Sequence, residues 1–193
     1  MGNKSSLPSP RTMKELRAVL SDEYTNEEIL GWFEQYKASL SRGESKLTME
    51  AFIRVYSRLF EGEASNFAEQ VFRVFDTDGN GVVDFKEFMM GIYVSGSPLE
   101  EDMKLDWAFK MYDMNGDGYI TKDEMKFMFT SICRMTLAQI SGNNSTPEEL
   151  TDYFFERFDE DNDNRISNKE FVSRARNHRE IIHMLEINPC PDD

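Results

Sequence analysis

Three segments of this chain share one frame, and an internal repeat constrains a fold more tightly than composition does. FRVFDTDGNGVVDFKEF (72–88), FKMYDMNGDGYITKDEM (109–125) and FERFDEDNDNRISNKEF (155–171) each carry Phe, two residues, then Phe or Tyr directly before an Asp. Counting that Asp as position one, a β-branched residue stands at position eight (Val83, Ile120, Ile166) and a large apolar residue at position thirteen (Phe88, Met125, Phe171). A fainter fourth copy, YKASLSRGESKLTMEAF (36–52), fits with Leu47 at position eight and Phe52 at position thirteen. Each copy reads as apolar helix, polar loop, apolar helix. One such unit cannot bury its apolar face alone, so the units pair, and position-eight residues of neighbouring loops meet as short strands. The expected fold is all-α: four helix-loop-helix units in two paired lobes, with short β pairings between loops. The lobes are expected over residues 1–93 and 101–193, the second ending in a C-terminal helix. Residues 94–100 are the expected linker, inside the turn-forming stretch VSGSPLEED (94–102).

The loops carry oxygen donors at fixed places. In the second unit these are Asp76, Asp78, Asn80, the Val82 carbonyl, Asp84 and Glu87, with Gly81 at position six. In the third they are Asp113, Asn115, Asp117, the Tyr119 carbonyl, Thr121 and Glu124, with Gly118 at the turn. The fourth offers Asp159, Asp161, Asp163, the Arg165 carbonyl, Ser167 and Glu170. Donors at positions one, three, five, seven, nine and twelve of a twelve-residue loop, with a turn glycine at six, form the calcium-binding EF-hand pattern. Calcium is a hard cation that takes six to eight oxygens, two of them from the closing glutamate. Crowded carboxylates repel until such an ion arrives, which explains their concentration in tight turns. Up to three calcium ions are expected. Magnesium is the alternative occupant at rest, a poorer match to a bidentate glutamate because of its octahedral demand. In the fourth loop Asn164 stands where glycine is usual, and asparagine visits the left-handed region more readily than other non-glycine residues. The first loop has lost its donors: Leu40, Arg42 and Glu44 hold positions one, three and five, Ser45 the glycine place, and Ala51 the closing place.

The charge balance points the same way. A formal net charge of -14 and a pI near 4.6 argue against sequence-independent nucleic-acid binding, and make cations or basic segments the natural complement. Cys133 and Cys190 lie far apart with no metal-ligand spacing, and no secretory signal is evident, so a reducing, cytoplasmic setting is expected. No apolar run approaches the roughly 20 residues of a membrane span. Asn-x-Ser/Thr sequons at Asn3, Asn143 and Asn144 would then stay unmodified. The chain has no glycine-rich phosphate loop, nucleophile elbow or HExxH, and His178 and His183 read as surface residues. It is not expected to be an enzyme.

The opening MGNKSS fits N-myristoylation at Gly2, with Ser6 at the favoured place. Lys4, Arg11, Lys14 and Arg17 against Glu15 make this segment basic on an otherwise acidic protein, which suits an anionic membrane surface. A single myristoyl chain binds bilayers with only about 10⁴ M⁻¹, so its attachment can be switched by hiding or exposing it. The first lobe is dense in aromatic residues, including Trp32, Phe33, Tyr36, Phe52, Tyr56 and Phe60. Such stripes are ordinarily core, yet a unit that cannot use calcium leaves its aromatic face as a candidate docking surface. The twelve methionines serve core plasticity or adaptable recognition.

Across nearly its whole length the sequence resembles the neuronal calcium sensor family, the recoverin, visinin, hippocalcin and frequenin group. MGNKSS, ILGWFEQY, FAEQVFRVFDTDGNGVVDFKEF, KLDWAFKMYDMNGDGYITKDEM and STPEE carry the resemblance. It departs in the first loop, where Arg42 and Gly43 replace the family's usual Cys-Pro pair. The resemblance implies a myristoylated sensor that extrudes its acyl chain on binding calcium. A groove lined by Trp32, Tyr36, Phe52, Val55, Tyr56, Leu59, Phe60, Phe88 and Ile92 would then receive an amphipathic helix of a membrane-associated receptor kinase, guanylate cyclase or ion channel. A cytosolic calcium buffer, or a constitutive regulatory subunit of a phosphatase, kinase or channel, is the alternative. A monomer or weak dimer, cytoplasmic with peripheral membrane association, is expected.

Overall fold

A computed structural model describes residues 7–20, 24–96, 101–136 and 146–177. Gly2, Lys4, Ser6, Asn3, Asn143, Asn144, His178, His183 and Cys190 lie outside the described residues. The element order is α1 (Pro10–Leu20), α2 (Asn26–Ser39), β1 (Leu47–Thr48), α3 (Met49–Tyr56), α4 (Ser65–Phe75), β2 (Val82–Val83), α5 (Phe85–Gly96), α6 (Glu101–Tyr112), β3 (Tyr119–Thr121), α7 (Lys122–Thr136), α8 (Pro147–Phe158), β4 (Arg165–Ser167) and α9 (Asn168–Ala175). A 3₁₀ turn, Ser57–Leu59, ends α3. Every helix-loop-helix unit thus has its strand of two or three residues at the end of its loop.

Local sequence sets the helix starts. Thr25 accepts a hydrogen bond from the Glu28 N–H, and the Glu28 side chain accepts one from the Thr25 N–H at 2.7 Å. Thr146 and Glu149 repeat this reciprocal cap, with Pro147 supplying a helical φ and no orphan donor. Loss of either capping hydroxyl would cost about 1 kcal/mol.

The strands pair antiparallel in two separate sheets. Leu47 lies opposite Val83, and Ile120 opposite Ile166, so the position-eight residues meet as the repeat requires. All four side chains are buried, which anchors each loop pair to the core. No helix among the described residues is long and apolar enough to cross a membrane. Helix α5 continues through Val94, Ser95 and Gly96, the first three residues of the stretch expected as linker, and α6 begins at Glu101.

Tertiary contacts hold the N-terminal helix. Leu16 and Leu20 of α1 are fully buried, and Glu15 accepts hydrogen bonds from Arg11 Nε (2.8 Å) and Lys86 Nζ (2.9 Å). The Arg11 bond and then the Lys86 bond hold the Glu15 carboxyl at about 2, well below the usual carboxylate range. Arg17 is drawn to the Asn26 side chain, while Lys14 is exposed. The halves also touch directly. The Phe75 ring of α4 meets Trp107 of α6 edge-on at 6.4 Å, and the Gly62 and Glu63 N–H groups donate to the Met135 and Arg134 carbonyls at 3.0 and 2.9 Å. The loop before α4 therefore caps the C-terminal end of α7, where carbonyls lack partners within the helix.

Candidate metal centres

The three donor-bearing loops repeat one hydrogen-bonded frame. In the second, Asp76 accepts from the Asn80 N–H (3.0 Å) and the Gly81 N–H (2.8 Å). Asp78 accepts from the Asn80 N–H, and the Asn80 side chain from the Val82 N–H. The third loop matches, with Asp113 holding the Asp117 and Gly118 N–H groups, Asn115 the Asp117 N–H, and Asp117 the Tyr119 N–H. In the fourth, Asp159 holds the Asp163 and Asn164 N–H groups, Asp161 the Asp163 N–H, and Asp163 the Arg165 N–H. Positions one, three and five are thereby folded inward by bonds between neighbours. Asp76, Asp78 and Glu87 bring carboxylate oxygens within 4.8 Å of one another, as do Asp159, Asp161 and Glu170. In the third loop Asn115 supplies an amide oxygen where the others have an aspartate. A compact set of hard oxygens fits calcium.

The closing glutamates arrive from helices that they also cap. Position nine is the N-cap and position twelve is N3 of the exiting helix, so one carboxylate serves the capping box and the loop. Ser167 and Glu170 form that box at α9. Thr121 donates its hydroxyl to Glu124 at 2.7 Å, and the Asp84 and Glu87 N–H groups are likewise reciprocally satisfied. Burial raises the Glu170 carboxyl, but hydrogen bonds from the Ser167 hydroxyl and N–H and the Glu160 and Asp161 N–H groups outweigh it and leave its pKa lowered. In the first unit Thr48 still accepts from the Ala51 N–H, but Ala51 has no carboxylate to return. That loop keeps a helix start and loses a closing ligand.

Two turn positions adopt left-handed backbone. At position six φ is 81° for Gly81, 88° for Gly118 and 66° for Asn164. Position four does the same, at Gly79, Gly116 and Asn162, with φ of 66°, 71° and 59°. Glycine at position four of the second and third loops, Gly79 and Gly116, is the signal in the sequence for this second left-handed turn. Gly43 holds this conformation even in the first loop, at φ 95°.

The residues expected to line a groove separate into two environments. Tyr36 and Phe52 are buried; Trp32, Val55, Tyr56, Phe60, Phe88 and Ile92 are half-buried, and Leu59 is 54% exposed. Phe88 meets Trp32 at 6.2 Å and Tyr36 at 5.5 Å, and Tyr56 meets Phe52 at 5.8 Å and Phe60 at 5.3 Å. Two aromatic runs result, one on α2 and α5 and one on α3 and its 3₁₀ turn. The Tyr36 hydroxyl, donating to the Val83 carbonyl at 2.9 Å, ties the first run to the strand of the second loop.

Paired helix-loop-helix units with oxygen-lined loops define an EF-hand protein. The EF-hand domain pair model matches residues 102–176 and the EF hand domain model residues 67–93. S-modulin of Aquarana catesbeiana is 30% identical over 98% of this chain and 94% of its own length. Recoverin of Homo sapiens is 27% identical over 98% of this chain and 95% of its own. The Guanylyl cyclase inhibitory protein of Lithobates pipiens is 35% identical over 83% of this chain and 78% of its own. The chain belongs to the neuronal calcium sensor family, whose members are non-enzymatic EF-hand calcium sensors.

Proposed function

We propose that this protein is a calcium sensor that takes up to three ions, one in each of the second, third and fourth loops, and passes the change to a membrane-associated target. The observation that carries the reading is the common frame: carboxylate at position one holding the N–H groups of positions five and six in all three loops. Val82, Tyr119 and Arg165 contribute backbone carbonyls and the remaining ligands are the side chains at positions one, three, five, nine and twelve. Binding neutralises the loop and repositions the exiting helix, the usual action of sensor EF-hands.

The output is an acyl and groove switch. Gly2 carries a myristoyl group, and the half-buried face of Trp32, Val55, Tyr56, Phe60, Phe88 and Ile92, with exposed Leu59, receives an amphipathic target helix. Tyr36 and Phe52 support that face from beneath. Trp32, Val55, Tyr56, Leu59 and Phe60 belong to the first unit, which has no closing ligand, while Phe88 and Ile92 stand on the exiting helix of the second loop and move with its ion. The relative named as a guanylyl cyclase inhibitory protein favours a cyclase among the target classes. The protein acts at the cytoplasmic face of a membrane, as a monomer or weak dimer. Sedimentation of the acylated chain with anionic vesicles tests this. Calcium should promote partitioning, and Gly2→Ala should abolish it; equal sedimentation with and without calcium overturns the switch and leaves a calcium buffer.

A further inference from the structure

Each closing glutamate accepts a hydroxyl hydrogen bond, but the second loop obtains it from another place. In the third and fourth loops the donor is position nine: Thr121 Oγ1 reaches Glu124 Oε2 at 2.7 Å and Ser167 Oγ reaches Glu170 Oε2 at 2.6 Å. In the second loop position nine is Asp84, whose ionised side chain can only accept. Its N–H still donates to Glu87 Oε2 at 2.9 Å. The hydroxyl comes instead from position two, where Thr77 Oγ1 donates to the opposite oxygen, Glu87 Oε1, at 3.0 Å. The Thr77 N–H (3.1 Å) and Asp78 N–H (3.4 Å) join it on that atom. Position two of the third and fourth loops is Met114 or Glu160, neither of which offers a hydroxyl.

We propose that Thr77 is a positioning residue for Glu87 and sets the preference of the second loop for calcium over a smaller divalent ion; this rests on the reading of that loop as a calcium site. Asp84, which takes the Glu87 N–H on its Oδ1 at 3.0 Å, has no hydroxyl to give the closing carboxylate. Thr77 supplies that bond from the far side. With Oε1 held by residues 77 and 78 and Oε2 by residue 84, both ends of the carboxylate are fixed. Glu87 is also only 7% exposed, so water replaces a lost donor poorly. An ion that takes both oxygens gains fully from a fixed carboxylate. Magnesium, which demands octahedral geometry and keeps its waters, gains little.

The test is a titration of the full chain followed by nuclear magnetic resonance at two amides, Gly81 for the second loop and Gly118 for the third, with calcium and, separately, magnesium. Thr77→Val, similar in volume but without the hydroxyl, should weaken calcium binding at Gly81 about fivefold, a part of what a hydrogen bond to a charged group contributes. Magnesium affinity at Gly81 should change less than about twofold, because a single-oxygen contact needs less orientation. An unchanged Gly118 response shows that the variant folds, and Thr77→Ser should restore the calcium affinity. Unchanged calcium binding in Thr77→Val, or equal weakening of both ions, overturns the proposal. A Gly81 amide of the unaltered chain that ignores calcium overturns the site itself and the proposal with it.

Discussion

In the fourth loop, Asn162 and Asn164 hold the left-handed backbone that glycine holds at the same positions of the second and third. A side chain there strains against its own backbone, and asparagine reduces that strain without removing it. Asn164→Gly should therefore tighten calcium binding at this loop. The gain is about 0.5 kcal/mol, or a twofold change in affinity, because the flexible glycine also costs entropy on folding. Isothermal titration of the two chains would measure it, and a weaker fourth site in the variant would contradict the strain argument.

Among the elements, the close approach of the loop before α4 to the end of α7 leaves no room for a side chain. A Cβ built on Gly62 would lie 2.0 Å from the Arg134 carbonyl oxygen and 2.5 Å from that of Met135. Those atoms are backbone and cannot swing aside. Gly62→Ala should destabilise the fold by about 2 kcal/mol, the scale of other overpacking changes. Urea unfolding reads the loss, and hydrogen exchange at the Glu63 amide, bonded to the Arg134 carbonyl, should quicken. Unaltered stability would mean that the loop does not rest on α7 in solution. The same contact makes the exiting helix of the third unit a neighbour of the first two.

For the whole molecule the governing quantity is charge. Three divalent ions add six to a formal -14 and leave -8, relieving self-repulsion while stabilising the folded state by linkage. At a hundredfold excess over the dissociation constant each site contributes about 2.7 kcal/mol. Calorimetry should show a higher melting temperature in calcium than in chelator, with an effect that shrinks in Glu87→Gln and Glu124→Gln. Identical melting in the two conditions would refute ion-coupled stability.

Local geometry and the repeat were legible from the order of residues alone. Each loop frame uses bonds among residues within twelve positions, so spacing places the candidate donors and the loop without them, while the repeat, not chain proximity, matched Leu47 with Val83 and Ile120 with Ile166. Glu15, Thr77 and Gly62 were opaque, because their roles depend on partners that chain order does not bring near or on which side of a carboxylate a hydroxyl falls. Trp32 and Tyr36 also look alike at helical spacing. Only the packing of α2 against α5 and the β2 strand decided that Tyr36 is interior and Trp32 half-open. Burial belongs to the surface that another element covers, whereas a loop's hydrogen bonds are dictated by the residues next to it.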